Sequence, residues 1–174
     1  SFPDLERAWT YDTRGDVKAP IAVADGLAIV PSWAGTITAV NVENGFRKWE
    51  FEADADVMCA PAVADGTVYV GSHDDRIYAI DLDSGEEVWH YDTGGWIIGS
   101  VVATPEHVLV GSYDTRLYAL EQETGDVTWS VPNRGHVTSA PLVTEDAIYY
   151  AERAPWDGEE LVGPGYLYKL SEAT

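Results

Sequence analysis

The chain has 174 residues and carries 30 Asp and Glu against 10 Lys and Arg, a formal net charge of −20. This charge excludes a sequence-independent nucleic-acid binder, which needs a basic face to neutralise phosphates, and it disfavours docking on anionic lipid. Hydrophobic residues make up 45% of the chain. No apolar run reaches the roughly 18 residues of a membrane span, so the composition predicts a globular domain with no direct membrane insertion.

In chain order, the predicted elements form a regular series of short strands. Glu6 to Asp12 predicts an outer strand, and three units of about 40 residues follow it. The second unit illustrates the pattern, with β-branched and aromatic runs at Val57–Val63, Val68–Ser72, Arg76–Asp81 and Glu87–Tyr91. Asp-Gly, Asp-Asp and Ser-Gly pairs between these runs are typical of tight hairpins. Tyr166–Leu170 predicts the third strand of a fourth unit.

The spacing of the tryptophans marks the repeat. Four of the seven lie 40 residues apart, at Trp9, Trp49, Trp89 and Trp129. A period near 40 residues with four antiparallel strands per unit is typical of the blades of a β-propeller. A blade is a small sheet that cannot bury both faces alone, so we interpret the four indoles as structural residues that cover the next blade.

The most specific pattern runs from Ala60 to Trp89, where a Tyr-Ala pair and an Asp precede Ser-Gly and the Trp. This segment resembles the repeat of pyrroloquinoline-quinone-like (PQQ-like) β-propellers, and the similarity extends with drift over the chain. The resemblance implies an all-β propeller of four-stranded antiparallel blades, with residues 1–174 as a single propeller domain or half-propeller. Many members of the family are non-enzymatic scaffolds such as the outer-membrane assembly lipoprotein, and others are quinoprotein dehydrogenases.

The strand count predicts four blades if the first strand completes the last. Rings of the family that the chain resembles have about eight blades, so the chain corresponds to half a ring. Two chains could close an eight-blade ring, each donating its first strand to the other. One chain could instead close as four blades, or the sequence could be an excised half of a longer protein. We expect the two-chain ring, a homodimer, in solution, and a longer native chain because Ser1 is not a Met.

Candidate binding residues lie in loops that share one face of such a propeller. These are the loops before each innermost strand and the loops between the second and third strands, and loops on rigid scaffolds often carry function. The 40-residue offset gives a first set, Asp16, Asp56, Trp96 and His136, and a second set, Trp33, His73, Tyr113 and Arg153. Side chains differ within each set although the scaffold repeats, as either surface drift or a heterogeneous binding surface would produce.

Two features of these sets point to specific chemistry. Trp96 lies off the tryptophan register, and it either plugs the channel mouth or offers an aromatic platform to a sugar, quinone or peptide. Asp56 and His136 could face each other across the channel as an acid–base pair. Cys59 lies in an apolar run and is interpreted as a small core residue.

Metal and cofactor motifs are sparse. An insertion of ten residues in the fourth unit carries Asp157, Glu159 and Glu160, which could bind a hard cation such as calcium or form a solvated acidic loop. The four histidines have no metal-ligand spacing. The resemblance implies adjacent cysteines near the quinone in some dehydrogenases, and this chain has one Cys.

These observations predict a non-catalytic propeller scaffold that binds a protein partner or a small ligand on its loop face, without a cofactor. One alternative is a fragment of a PQQ-dependent quinoprotein dehydrogenase, with PQQ and calcium as cofactors. Another is a sensor or extracytoplasmic domain of a larger signalling or surface protein. An extracytoplasmic or cell-surface location is favoured over the cytoplasm.

The acidity carries a separate prediction. Only three of the ten bases are lysines, and an acidic, lysine-poor surface resembles the proteins of extreme halophiles. Molar salt shortens the Debye length to about 3 Å and removes most of the self-repulsion of such a chain. We therefore expect a haloarchaeal source, with an ordinary acidic extracellular domain as the alternative.

Overall fold

A computed structural model describes residues 6–154 and 163–171 of the chain. These residues form sixteen strands in four antiparallel sheets, which confirms the predicted propeller fold. Blade 1 contains β1 (Ala22–Ala24), β2 (Leu27–Pro31), β3 (Thr36–Asn41) and β4 (Arg47–Glu52). Blade 2 contains β5 (Ala62–Ala64), β6 (Thr67–Gly71), β7 (Arg76–Asp81) and β8 (Glu87–Asp92). Blade 3 contains β9 (Val102–Ala103), β10 (His107–Gly111), β11 (Arg116–Glu121) and β12 (Val127–Pro132).

Blade 4 departs from this order. It contains β13 (His136–Val137), β14 (Leu142–Val143), β15 (Ile148–Arg153) and β16 (Tyr166–Leu170). Both β13 and β14 pair with one edge of β15, so they are two pieces of the innermost strand, and β16 pairs with the other edge. Within the described ranges, blade 4 therefore has the first three strands of a blade and no outer strand.

The 40-residue repeat is visible in the strand pairing. In each complete blade, an alanine of the third strand lies opposite the tryptophan of the outer strand, and the register shifts directly after that alanine. The pairs are Ala39 with Trp49, Ala79 with Trp89 and Ala119 with Trp129. A small residue opposite the indole leaves space for the ring, so the sequence repeat is a repeat of one packing arrangement.

The tryptophans of blades 1 and 2 pack against glycines of the next blade. Trp49 and Trp89 are 7% and 8% exposed, and the Nε1–H of Trp89 donates to the carbonyl of Gln122 at 2.8 Å. Gly125 has φ +76°, and a Cβ there would lie 2.6 Å from Cε3 of Trp89. Gly85 seats Trp49 in the same way. This contact explains why a glycine lies four residues before the tryptophan of its own blade. The absence of a Cβ at that glycine leaves room for the indole of the preceding blade.

The prediction of an outer strand at Glu6–Asp12 was wrong for the isolated chain, since the structure assigns no strand to these residues. Trp9 nevertheless packs on Gly45, and its Nε1–H donates to the carbonyl of Val42 at 2.9 Å. The segment thus lies where the outer strand of a preceding blade would lie. A strand requires a neighbour for its backbone hydrogen bonds, and none of the described strands pairs with this segment.

The innermost strands are shorter than predicted. The run Val57–Val63 yields only β5, because Pro61 lacks an N–H and Cys59 occupies the place of a strand partner. Gly71 donates its backbone N–H to the Sγ of Cys59 at 3.0 Å. Cys59 is 1% exposed, and burial raises the pKa of its thiol to about 12. In blade 4, the Oγ of Ser139 accepts the N–H of Ala151 at 2.7 Å and interrupts the innermost strand between β13 and β14.

The main core extends across blades 1 to 3, and a smaller cluster of Leu117, Val137 and Tyr150 joins blade 3 to blade 4. The innermost strands of successive blades, β1, β5 and β9, contact one another and line the centre of the arc. In the described part of the chain, no helix is long and apolar enough to cross a membrane. This arrangement brings the loops before the innermost strands next to the loops between second and third strands, on what we call the loop face. The opposite side carries the hairpin turns between the first and second strands and between the third and fourth strands of each complete blade. We call it the turn face.

Candidate functional site

The two predicted sets of residues meet in pairs on the loop face. In blades 1 to 3, the backbone N–H of the second-set residue donates to the backbone carbonyl of the first-set residue in the same blade. These bonds are Trp33 to Asp16 at 3.0 Å, His73 to Asp56 at 3.0 Å and Tyr113 to Trp96 at 2.9 Å. In blade 4, His136 and Arg153 are partners in the pairing of β13 with β15. Every blade therefore presents one residue of each set side by side.

Four of the eight side chains form a stack of rings that crosses the blade boundaries. The ring of His73 stacks on Trp96 with centroids 5.1 Å apart and planes 13° apart. Trp96 contacts Tyr113 at 5.8 Å, and Tyr113 stacks on His136 at 4.2 Å and 10°. We call His73, Trp96, Tyr113 and His136 the aromatic ladder. The steps from His73 to Trp96 and from Tyr113 to His136 cross blade boundaries, so the ladder runs from blade 2 to blade 4.

Two charged residues flank the ladder. An Nη1–H of Arg153 points to the hydroxyl of Tyr113 at 3.4 Å, which places a guanidinium at the blade 4 end. Beyond the other end of the ladder, in blade 1, the Nζ of Lys18 lies 3.3 Å from the ring centroid of Trp33, a cation–π contact. Sequence reasoning missed Lys18, and its position two residues after Asp16 in the same loop is the signal that could have indicated it.

Glycines hold Trp96 at the surface. The N–H of Gly94 donates to Oδ2 of Asp114 at 2.9 Å, and a Cβ on Gly95 would lie 2.6 Å from the backbone nitrogen of Asp114. Only glycine allows this close approach of the two loops. Trp96 is 51% exposed although His73 covers one side of its ring. The indole is thus a fixed and half-open platform, and the Gly-Gly pair before it is the sequence feature that positions it.

Carboxylates anchor the loops that carry the ladder. Asp74 follows His73, and its Oδ2 accepts the hydroxyl of Tyr78 at 2.7 Å. Burial and this carboxylate raise the pKa of Tyr78 to about 12. In blade 4, the buried carboxylate of Glu152 accepts the backbone N–H groups of Arg134 and Gly135, each at 3.0 Å. Glu152 fixes the loop before β13, and sequence reasoning did not identify it.

Some predicted residues lie apart from the ladder. Asp56 is joined to the ladder by the backbone hydrogen bond from His73, and Asp16 accepts the equivalent bond from Trp33, which is outside the ladder. Nδ1 of His136 faces the carbonyl of Tyr113 and its ring stacks on the same residue, and the acid–base pair of Asp56 and His136 stays a prediction. Trp33 Nε1 and His73 Nε2 are buried without a hydrogen-bond partner among the described residues. These two nitrogens are unused polar atoms on the loop face.

The charge differs between the two faces. Thirteen of the 30 acidic residues lie in the described hairpins of the turn face: Asp25, Glu43, Asp65, Asp81, Asp83, Glu86, Glu87, Glu106, Glu121, Glu123, Asp126, Glu145 and Asp146. Among the described hairpin positions, Arg47 is the single Lys or Arg. Six of the other bases lie in the loops of the opposite face or at the strand ends that border them: Arg14, Lys18, Arg76, Arg116, Arg134 and Arg153. The ladder is therefore on the less acidic side of the molecule.

The weak calcium candidates, Asp157, Glu159 and Glu160, lie outside the described residues. Within residues 6–154 and 163–171, no group of three or more His, Cys, Asp or Glu side chains is arranged to hold a metal ion. The ladder and its neighbours have the chemistry of a recognition surface, with stacked rings, the guanidinium of Arg153 and the unused nitrogens of Trp33 and His73.

Comparison with known proteins gives a family match for the chain. A family model described as outer membrane protein assembly factor BamB matches residues 4–99 and 93–162. No curated protein sequence matches the chain. The crystal structure of BamB from Moraxella catarrhalis is similar with a TM-score of 0.75 and 22% identity, covering 84% of this chain and 50% of that one. This chain thus spans about half the length of that protein.

Two further solved structures share the fold. The computationally designed Ika4 protein matches with a TM-score of 0.77 and 15% identity, over 97% of this chain and 99% of the designed one. The quinohemoprotein alcohol dehydrogenase from Comamonas testosteroni matches with a TM-score of 0.72 and 20% identity, over 80% of this chain and 29% of the enzyme. At these identities the similarity concerns the propeller architecture.

Proposed function

We propose that this chain, which belongs to the family of the outer membrane protein assembly factor BamB, is a non-catalytic propeller scaffold that binds a protein partner on its loop face. The observation that carries the proposal is the half-exposed indole of Trp96, held in the aromatic ladder. Family membership supports a scaffold, and the ladder supports the location of the binding surface.

The composition of the ladder suits a protein interface. Trp, Tyr and Arg are the residue types that most often dominate binding energy when they lie at the centre of an interface. Trp96, Tyr113 and Arg153 are such residues, and Tyr113 contacts both of the others. Because neighbouring rings and the Gly94–Gly95 loop already fix Trp96, its side chain would lose little conformational entropy when a partner docks against it.

The charge distribution supports the same face. A partner that approached the turn face would meet thirteen acidic residues in the hairpins. On the loop face it meets the rings and six basic side chains, which partly offset the acidic ones there. The loop face therefore repels an acidic partner less than the turn face does, and it can accept a neutral one.

The experiment is a comparison of two exposed aromatic residues. The tagged protein, Trp96→Ala and Phe46→Ala are used as baits in the lysate of the source organism, and captured proteins are quantified by mass spectrometry. Phe46 is 74% exposed and lies in the β3–β4 hairpin of the turn face. We expect one specific protein with the native and Phe46→Ala baits. Its capture should fall with Trp96→Ala, since truncating a hot spot costs about 2 kcal/mol, or about 30-fold in Kd.

Capture that is equal for Trp96→Ala and the native bait would contradict the location of the binding surface. Capture lost only with Phe46→Ala would move it to the turn face. Either result would leave the propeller fold intact and would reject this use of the ladder.

The absence of catalysis is tested separately with PQQ and calcium. Adjacent cysteines are missing from the chain, which has the single Cys59. We expect no saturable heat of binding when PQQ and calcium are titrated into the protein, and no dye-linked oxidation of alcohols or sugars. Tight binding together with such oxidation would favour the alternative, a fragment of a quinoprotein dehydrogenase.

A further inference from the structure

The loop face already binds one cation of its own chain on a tryptophan ring. In blade 1, the Nζ of Lys18 lies 3.3 Å from the ring centroid of Trp33 and 3.6 Å from Oδ2 of Asp16. The face of an indole attracts an ammonium or a guanidinium, and a neighbouring carboxylate adds to that attraction. One residue of each predicted set thus forms a complete site for a cation, and Lys18 fills it.

Trp96 presents a second ring on the same face, and it lies in the interior of the described structure. Its loop joins blade 2 to blade 3, and blade 4 follows, so the 51% exposure of the indole arises with both neighbouring blades in place. His73 stacks on one side of the ring with planes 13° apart. Among the described residues, the cation–π contacts of Lys and Arg side chains involve other rings.

The loops around Trp96 are negatively charged, although the loop face as a whole is less acidic than the turn face. Blades 2 and 3 contribute four loops to this face, which together contain five aspartates and two arginines: 53–56, 73–76, 93–96 and 113–116. The guanidinium of Arg76 is paired with Asp54 at 2.9 Å and with Asp92 at 2.8 Å. A positive group that approaches Trp96 would therefore be attracted, and a negative group would be repelled.

Two of these aspartates have carboxylates that the fold does not use. The carbonyl of Asp56 accepts the backbone N–H of His73 at 3.0 Å, and the carbonyl of Asp75 accepts the backbone N–H of Thr93 at 2.8 Å. These bonds tie Asp56 to the ring that stacks on Trp96, and Asp75 to the loop that presents Trp96. Within the described part of the chain, neither carboxylate takes part in an ion pair or a hydrogen bond.

We infer that the protein partner places a cationic side chain, an arginine or a lysine, on the indole of Trp96, where the carboxylates of Asp56 and Asp75 balance its charge. The arrangement is the one that Asp16 and Trp33 already provide for Lys18. Arginine suits it best, because a flat guanidinium can stack on the indole and donate to a carboxylate at the same time. The inference rests on the proposed function and adds the chemistry of the residue that the partner contributes.

A pair of peptides separates a cation from a neutral group of the same shape. The probe is a short capped peptide of alternating glycine and arginine, and the control peptide has citrulline, which is neutral, in place of each arginine. Both are titrated in 1 M potassium chloride, where a Debye length of about 3 Å screens diffuse attraction to the turn face. Nitrogen–proton correlation spectra follow the indole N–H signals of the seven tryptophans, and Trp96→Phe identifies the signal of Trp96.

We expect the arginine peptide to shift the Trp96 signal in a saturable way and to bind about 5-fold more tightly than the citrulline peptide. Equal binding of the two peptides, or an unmoved Trp96 signal, would overturn the inference. The proposed function would survive that result if Trp96→Ala still reduced capture, because a neutral partner could use the same ring. Binding of the arginine peptide with undiminished capture by Trp96→Ala would instead reject the proposed function alone.

Paired charge variants test the role of the carboxylates. Asp56→Asn combined with Asp75→Asn is compared with Asp25→Asn combined with Asp65→Asn on the turn face, so both variants lose two charges. Asp75 has φ +72° and Asp65 has φ +47°, a conformation that asparagine also adopts. The preference for the arginine peptide should fall about 5-fold in the loop-face pair and stay unchanged in the turn-face pair. Equal preferences in the two variants would contradict the site.

Discussion

A contact between one indole and one glycine explains the tryptophan spacing at the scale of single residues. Trp49 donates its Nε1–H to the carbonyl of Leu82, and Trp89 donates to Gln122, in each case 33 residues later. The ring lies on the glycine that follows this carbonyl by three residues, Gly85 or Gly125. Burial of the ring and satisfaction of its N–H occur together, so the residue contributes both packing and a specific orientation.

The first prediction compares two tryptophans. Trp89→Ala removes a ring that is 92% buried between blades 2 and 3, and we expect the free energy of unfolding to fall by about 3–5 kcal/mol. Urea denaturation followed by circular dichroism measures the change. Trp96→Ala is the control, because its half-exposed ring should contribute less than about 1 kcal/mol to stability. Equal losses for the two variants would contradict the distinction between a structural and a surface tryptophan.

The loops between second and third strands show a second repeated contact at the scale of elements. In blades 2 and 3, a tyrosine of the third strand donates its hydroxyl to an aspartate of the preceding loop: Tyr78 to Asp74 and Tyr118 to Asp114. The same loops carry His73 and Tyr113 of the ladder. The contact therefore links the strands to the candidate binding surface. Its tyrosine hydroxyl loses the proton only at high pH.

The second prediction uses this titration. Burial and the neighbouring carboxylate raise the pKa of Tyr78 to about 12, above the value near 10 of a tyrosine in an unfolded chain. The folded state thus holds this proton more tightly. Its contribution to stability is complete below about pH 10 and is lost as the pH rises towards about 12, with a slope of up to about 1.4 kcal/mol per pH unit.

Tyr78→Phe tests the assignment, since it removes the hydroxyl and retains the ring. The free energy of unfolding of this variant should fall less steeply than that of the native protein between pH 10 and 12. Tyr11→Phe serves as the control, because its hydroxyl makes no contact with Asp74. Parallel curves for Tyr78→Phe and the native protein would show that the Asp74 contact does not set the pH dependence.

Repeating elements could be predicted from the sequence, and departures from the repeat could not. Turn residues and alternating apolar runs indicated strands such as Arg76–Asp81, which β7 matches in full. The innermost strand of blade 2 is interrupted at Cys59 because its sulfur atom accepts the N–H of Gly71 in place of a strand carbonyl. No local sequence pattern predicts this contact. Strand formation at Glu6–Asp12 depends on a neighbour that residues within the segment cannot specify. Hydrophobic periodicity predicts which face of a strand is buried, but it does not predict which edge of the strand is paired.

The candidate site could also be predicted only where it follows the repeat. The 40-residue offset indicated that the two sets share a face, and the backbone bonds between them agree with that geometry. The stacking of His73 on Trp96 joins different blades, so it depends on the angle between blades, which the sequence does not express. Glu152 is a comparable case, because its carboxylate reaches a loop 17 residues earlier in the chain.

At the scale of the whole molecule, the turn face carries thirteen of the 30 acidic residues behind the net charge of −20. The β7–β8 hairpin alone carries Asp81, Asp83, Glu86 and Glu87, with Lys48 of blade 1 paired to Asp83. Like charges at this density repel one another over the Debye length, which is about 10 Å at 0.1 M salt and about 3 Å at 1 M. Folding brings the hairpins together, so the repulsion destabilises the folded state at low salt.

The last prediction is therefore that the melting temperature rises as potassium chloride increases from tenths molar to several molar. A gain of about 2 kcal/mol would raise the Tm of a chain of this size by about 4–8 °C. Glu86→Gln combined with Glu123→Gln should reduce the slope of this rise, because it removes two hairpin charges. A melting temperature that does not change with salt in the native protein would remove the case for a surface adapted to high salt.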